Sequence, residues 1–223
     1  RYSQSELSDL DCYAEKFGIE IIPCIQTLGH LEQVLKWEVM IPYRDTEDIL
    51  LVDDEKTYEL IEEMIVAASR PFRSKRIHIG MDEAYQIGLG RYLSLHGYER
   101  RFEIMLRHLE KVVAITQKYD LEPMIWSDMF FRLGSKTGDY YGLASQVPED
   151  IAKRIPKGVR LVYWDYYHKE KDFYKEFIQR HRKLGSEPIF AGAIWYGYGF
   201  CPNYGKTFLS TNAALMACKE EKV

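Results

Sequence analysis

Residues 76–84 read RIHIGMDEA. A short apolar run, 76–79, stops at Gly80, where the backbone is released to turn, and two carboxylates follow at Asp82 and Glu83. A run that is nearly continuous rather than alternating is how a strand buried on both faces of a parallel sheet reads. The same signature recurs at 19–25 (IEIIPCI), 122–126 (EPMIW), 159–164 (VRLVYW) and 188–195 (PIFAGAIW), so five strands are predicted.

Amphipathic stretches of 3.6-residue period lie between these runs. Tyr58, Ile61, Met64, Ile65 and Ala68 share one face of a segment after Asp53-Asp54, where an aspartate suits the N-cap. Phe102, Met105, Leu106, Leu109 and Val113 share a face within 99–119, and Phe173, Phe177, Ile178, His181 and Leu184 do so before Gly185, a helix stop. Strand and helix in alternation predict an α/β fold with parallel strands and crossover helices. The long polar, aromatic and Gly-rich loops (26–38, 80–97, 127–147, 165–168, 196–206) follow strand ends, whereas the opposite turns at 120–121 and 185–187 are short. Elaborated loops at one rim and tight turns at the other favour a (β/α)8 TIM barrel over an open sheet. A whole barrel takes about 250 residues and eight strands. Residues 1–223 are therefore expected to form one partial TIM-barrel catalytic domain, an incomplete barrel.

Composition fits a soluble globular domain, at 46% hydrophobic and 29% charged residues, with 17 Tyr, 10 Phe and 4 Trp. A net charge of −4 gives no general attraction to nucleic acid or to anionic membranes, and no apolar run approaches a membrane span. Cys12, Cys24, Cys201 and Cys218 show no CxxC spacing, which points to thiols in a reducing compartment. No basic-then-apolar leader opens the chain. These features predict a cytoplasmic protein, and the sequence reads as an excerpt from a longer one.

Adjacent carboxylates at a strand's C-terminal end repel, so one is expected to be held ionised by hydrogen bonds while the other is biased towards its acid form. That division suits general acid catalysis beside an anionic stabiliser. The same dipeptide also suits the first turn of a helix. Its surroundings favour chemistry, because the strands finish on Gln26, His30, Trp126 with Asp128, Tyr163 with Asp165, and Trp195. Aromatic faces stack on sugar rings, while carboxylates and amides bind hydroxyls.

HIGMDE (78–83) resembles the His-x-Gly-x-Asp-Glu signature of glycoside hydrolase family 20, the β-N-acetylhexosaminidases. IQTLGHLE (25–32), IWSDM (125–129) and VYWDYY (162–167) resemble further blocks of that family, in its order, across about residues 19–200. The pattern is most similar to bacterial N-acetyl-β-D-glucosaminidases without a secretion signal. The resemblance implies retaining hydrolysis of terminal N-acetyl-β-D-hexosamines, with the substrate's own 2-acetamido oxygen as nucleophile, an exception to the two-carboxylate scheme. It gives Glu83 the acid/base role and Asp82 the orientation of the acetamide. Tyr163 would bind the acetamide oxygen and Asp165 a ring hydroxyl, Trp126 and Trp195 would wall the pocket, and His30 would tune the carboxylate pair. Glycans ending in N-acetylglucosamine or N-acetylgalactosamine are the implied partners, with no cofactor and no metal.

Two family features lack a counterpart here: an early strand bearing a sugar-binding Arg and a last strand bearing a Trp and an acidic residue. The chain is thus expected to hold about strands three to seven of eight, to be weakly active or inactive alone, and to form homo-oligomers through unpaired strand edges. Two rival readings are a metal-dependent hydrolase using His78, Asp82 and His30, and a non-catalytic carbohydrate-binding fragment. His78, between Ile77 and Ile79, fits a hydrogen-bonded core histidine better than a ligand.

Overall fold

The computed structural model describes residues 2–196 and 199–223. The chain divides into two compact units: Arg1–Ile125 with Arg154–Val159, and Trp126–Lys153 with Arg160–Val223.

The first unit contains helices α1 (Gln4–Glu15), α2 (Glu32–Leu35), α3 (Glu55–Ser69), α4 (Arg91–His96) and α5 (Arg101–Lys118), a 3₁₀ turn at Glu38–Tyr43, strand β1 (Arg76–His78) and all but the last residue of strand β2 (Glu122–Trp126). Helix α1 starts at a capping box in which Ser3 and Glu6 satisfy each other's backbone N–H. It is tied down by buried Asp11, which accepts from Arg73 Nε at 2.6 Å. Asp54 caps α3, as its sequence predicts, accepting from Lys56 N at 3.0 Å. All five apolar residues expected on one face of α5 are buried. His108 and Thr116 share that buried face, each with a hydrogen-bond partner. Strands β1 and β2 run parallel, Ile77 opposite Pro123, with α5 between them in the chain.

The strand expected at 19–25 is a correction: it shrinks to a single parallel bridge, Cys24 to His78. The segment is nonetheless laid along β1, since His78 N donates to Pro23 O, Ile25 N to His78 O and Thr27 N to Ile79 O. Pro23 has no N–H to offer a ladder, so regular pairing cannot propagate through it.

The second unit contains α6 (Asp128–Leu133), α7 (Glu149–Ala152), β3 (Arg160–Trp164), α8 (Lys171–Lys183), β4 (Ile189–Ala191) and α9 (Tyr204–Glu221). Strands β3 and β4 are parallel, Tyr163 opposite Phe190, with α8 between them in the chain. The run at 188–195 yields a shorter strand than its composition suggests, for the paired register ends at Ala191 and Gly192 follows. The core of this unit is aromatic. Tyr141 meets Tyr163 edge-on at 4.7 Å and Phe131 meets Phe177 at 5.3 Å, geometries aromatic pairs favour. His181 lies among them, fully buried, donating from Nδ1 to Phe177 O, with Nε2 2.7 Å from Ser127 Oγ, whose hydroxyl also reaches Val162 O. A carbonyl can only accept, which fixes that tautomer. Within 127–147, expected to be loop, Asp128–Leu133 is helical and buries Met129, Phe130 and Phe131.

Candidate active site

The turn after β1 is built from backbone conformations that L-residues avoid. Gly80 has φ 72°, Met81 φ 72° and Glu83 φ 54°, and His30, which meets the carboxylates, has φ 57°. Each non-glycine residue in that region costs on the order of 1–2 kcal/mol, and such outliers cluster where function over-determines the backbone. Asp82-Glu83 does not open a helix: after β1 the next helix starts only at Arg91.

The strained turn brings three side chains together. His30 Nε2 lies 3.1 Å from Asp82 Oδ2 and 3.3 Å from Glu83 Oε2, so one imidazole bridges the pair. Glu83 is one-third exposed and Asp82 less so, leaving both within reach of solvent and ligand. Gln26 Nε2 donates to the other oxygen of Asp82, Oδ1, at 2.8 Å. Asp82, Glu83 and His30 are thus united as their sequence positions suggest, and Gln26 joins them in contact with Asp82.

The segment carrying Gln26 and His30 is pinned from below by residues that sequence reasoning missed. His108, fully buried on α5, donates from Nε2 to Thr27 O at 2.9 Å and faces Tyr58 Oη with Nδ1 at 3.2 Å. Burial pushes its pKa down to about 4, so the imidazole is neutral. Its only trace in the sequence is a polar residue on a mostly apolar helix face. Buried Asp45 organises the loop beyond Glu83, accepting from Gly88 N at 2.9 Å and Tyr92 N at 2.7 Å.

His78 does not join the carboxylates as a metal ligand would. It is buried, its Nδ1 accepts from Gly80 N at 3.1 Å, and burial lowers its pKa to about 4. Among the described residues no group of three or more His, Cys, Asp or Glu is placed to hold a metal ion.

In the second unit the expected sugar-binding residues are placed differently. Tyr163 is fully buried and its phenol donates to Asp165 Oδ2 at 2.9 Å. Asp165, 1% exposed, also accepts from Tyr167 N at 3.0 Å and meets His168 Nδ1 at 2.8 Å. Here the polar atoms of both are taken up by each other and by neighbouring groups. Alternate residues of a strand share a face, and that of Tyr163 packs on α8 through Phe177 and His181. Both faces of β3 are buried, so the sequence could not tell one from the other. Trp164, pointing the opposite way, donates from Nε1 to buried Asp128 at 3.0 Å. Trp126 is half-buried at the end of β2. Trp195 is buried, its Nε1 donates to Tyr166 O at 2.7 Å, and it lines a cavity of about 550 Å³ with Tyr167, Asn203 and Lys206.

The profile of the glycosyl hydrolase family 20 catalytic domain matches residues 1–173. Hexosaminidase D of Bos taurus is 27% identical over 209 residues, covering 88% of this chain and 56% of that protein. The chain thus spans just over half the length of that relative. Among solved structures, an exo-β-N-acetylglucosaminidase from Vibrio harveyi superposes with TM-score 0.58 at 18% identity, over 86% of this chain and 28% of its own. A β-N-acetylhexosaminidase from Streptomyces coelicolor A3(2) gives 0.56 at 16% identity, over 86% and 34%. At such identities the structural likeness speaks for the fold, the α/β architecture of a TIM-barrel catalytic domain. The profile match over most of the chain goes further: this chain belongs to glycosyl hydrolase family 20.

Proposed function

We propose that the protein containing this chain removes terminal N-acetyl-β-D-hexosamine residues from glycans by substrate-assisted, retaining hydrolysis. The observation that carries this reading is the His30 bridge between Asp82 and Glu83, held on a turn of left-handed residues. In the proposed first step Glu83 gives its proton to the glycosidic oxygen as the acetamide carbonyl oxygen attacks the anomeric carbon. The C–O bond to the leaving group breaks and a cyclic oxazolinium forms. Asp82 accepts the acetamide N–H and offsets the positive charge gathering there. The Glu83 carboxylate then takes a proton from water as that water attacks the anomeric carbon and reopens the ring. Two inversions give net retention. General acid catalysis contributes about 10²–10⁴ in rate, and an intramolecular nucleophile held in line supplies much of the rest.

Trp126 and Trp195 are the proposed aromatic wall around the acetamide and the sugar ring. Tyr163 and Asp165 are spent on each other, so a contact of either with sugar requires that their hydrogen bond open. The described strands, with the segment along β1, are proposed to be about the third to seventh of an eight-stranded barrel, residues 1–223 forming one partial domain.

The test is release of a chromogenic aglycone from an aryl N-acetyl-β-glucosaminide and the matching galactosaminide by the intact protein, with Glu83→Gln alongside. Turnover by the wild type that falls at least about 100-fold in the variant, with product binding kept, is the expected result. Near-normal rates in Glu83→Gln overturn the assignment of the acid.

A further inference from the structure

Asp82 is held at both oxygens, and the second holder, Gln26, has the hydrogen-bond polarity of a device for aiming it. The Met81 N–H, which can only donate, points at Gln26 Oε1 at 3.2 Å. The amide oxygen is therefore the end facing Met81, and the NH₂ faces Asp82 Oδ1 at 2.8 Å. On the far side His30 Nε2 meets Oδ2 at 3.1 Å. The terminal torsion of an aspartate is broad and roughly two-fold, so a carboxylate gripped at one oxygen swings, whereas one gripped at both keeps its plane.

The strained turn serves this grip. Met81 turns its N–H to Gln26 at φ 72°, directly after Gly80 at the same angle. A Cβ on Gly80 would lie 2.1 Å from Gln26 Oε1 and 2.8 Å from Ile25 O, so the amide fits only against a glycine. Gln26 is anchored in turn by the segment along β1, where Ile25 N and Thr27 N donate to His78 O and Ile79 O.

We infer that Gln26 is a positioning residue: its amide fixes the plane of Asp82, so that one Asp82 oxygen is presented as an acceptor to the substrate's acetamide N–H. This rests on the hydrolytic reading above and adds a named residue to it. Gln26 touches neither the sugar nor the reacting atoms in this scheme; it acts through Asp82.

Two variants of the intact protein test it, with Tm measured on each. Gln26→Leu keeps bulk but removes the donor. It should lower kcat on an aryl N-acetyl-β-glucosaminide about 10- to 100-fold, with KM within about 3-fold. Affinity for a thiazoline mimic of the cyclised intermediate should fall by a similar factor, since that mimic needs the same acceptor. Gln26→Glu keeps the shape but sets a second carboxyl against Asp82 Oδ1. Ionised, it repels; protonated, it donates again. Its kcat relative to wild type should therefore rise as pH falls from 7 to 5, a response a structural lesion does not show. Wild-type kcat and thiazoline affinity in Gln26→Leu, or a Gln26→Glu to wild-type ratio that is flat with pH, overturn the inference even if the first variant misfolds. A wild type with no turnover overturns the hydrolytic reading as well, so the two failures are told apart.

Discussion

Acidification should unfold this protein through three imidazoles. His78, His108 and His181 are buried, and burial lowers each pKa from the ordinary 6.5 to about 4. Between those values the folded protein keeps all three neutral while the unfolded chain takes up protons. Stability is complete above pH 6.5, falls as pH drops below it, and stops falling from this cause near pH 4. Each imidazole contributes a slope of about 1.4 kcal/mol per pH unit in that window, hence about 2 kcal/mol at pH 5. Three together lose about 6 kcal/mol, comparable to the roughly 5–15 kcal/mol that holds a typical domain together. Urea unfolding followed by tryptophan fluorescence at pH 7.5, 6.5, 5.5 and 5.0 measures this as a falling midpoint at constant m-value. His108→Gln isolates one contribution, because a glutamine offers a donor for Thr27 O and an acceptor for the Tyr58 hydroxyl without titrating. That variant should lose about a third of the slope. A midpoint unchanged from pH 6.5 to 5, or a His108→Gln slope equal to the wild type's, refutes the reasoning.

Asp82→Asn in the intact protein should lower turnover chiefly on N-acetylated substrates. A loss of equal size on a glucoside lacking the acetamide contradicts its role. Gly80→Ala should destabilise by about 2–4 kcal/mol, from left-handed strain and from lost hydrogen bonds of the displaced Gln26, and should depress kcat; an unchanged Tm speaks against the close approach. Asp11→Ala should cost about 1.5–3 kcal/mol, since its carboxylate accepts from both Arg73 N and Arg73 Nε where α1 is anchored. Urea unfolding reads this, and a loss below about 0.5 kcal/mol marks the pair as an ordinary surface ion pair.

Much of the candidate site was legible before any coordinates. The order strand, glycine, Asp-Glu placed a carboxylate pair just past β1, and the family resemblance of 25–32 pointed to His30 as its neighbour. Gln26 was visible as a strand-end residue, but nothing in its type tells which atom its amide faces. The β3 end failed for a different reason. Tyr163, Trp164 and Asp165 are all buried, so the alternation that assigns faces in a half-exposed strand is silent there.

Periodicity and punctuation, which are local, determined the alternation of strands and helices, the caps at Asp54 and Gly185, and which residue types gather after β1. Which donor meets which acceptor is settled between residues far apart in the chain. Gln26 reaches Asp82 across 56 positions and His108 reaches Thr27 across 81, and only the packed backbone sets those distances. Tertiary packing alone also made Met81 accept left-handed backbone, because the hydrogen bond that compensates it comes from another segment.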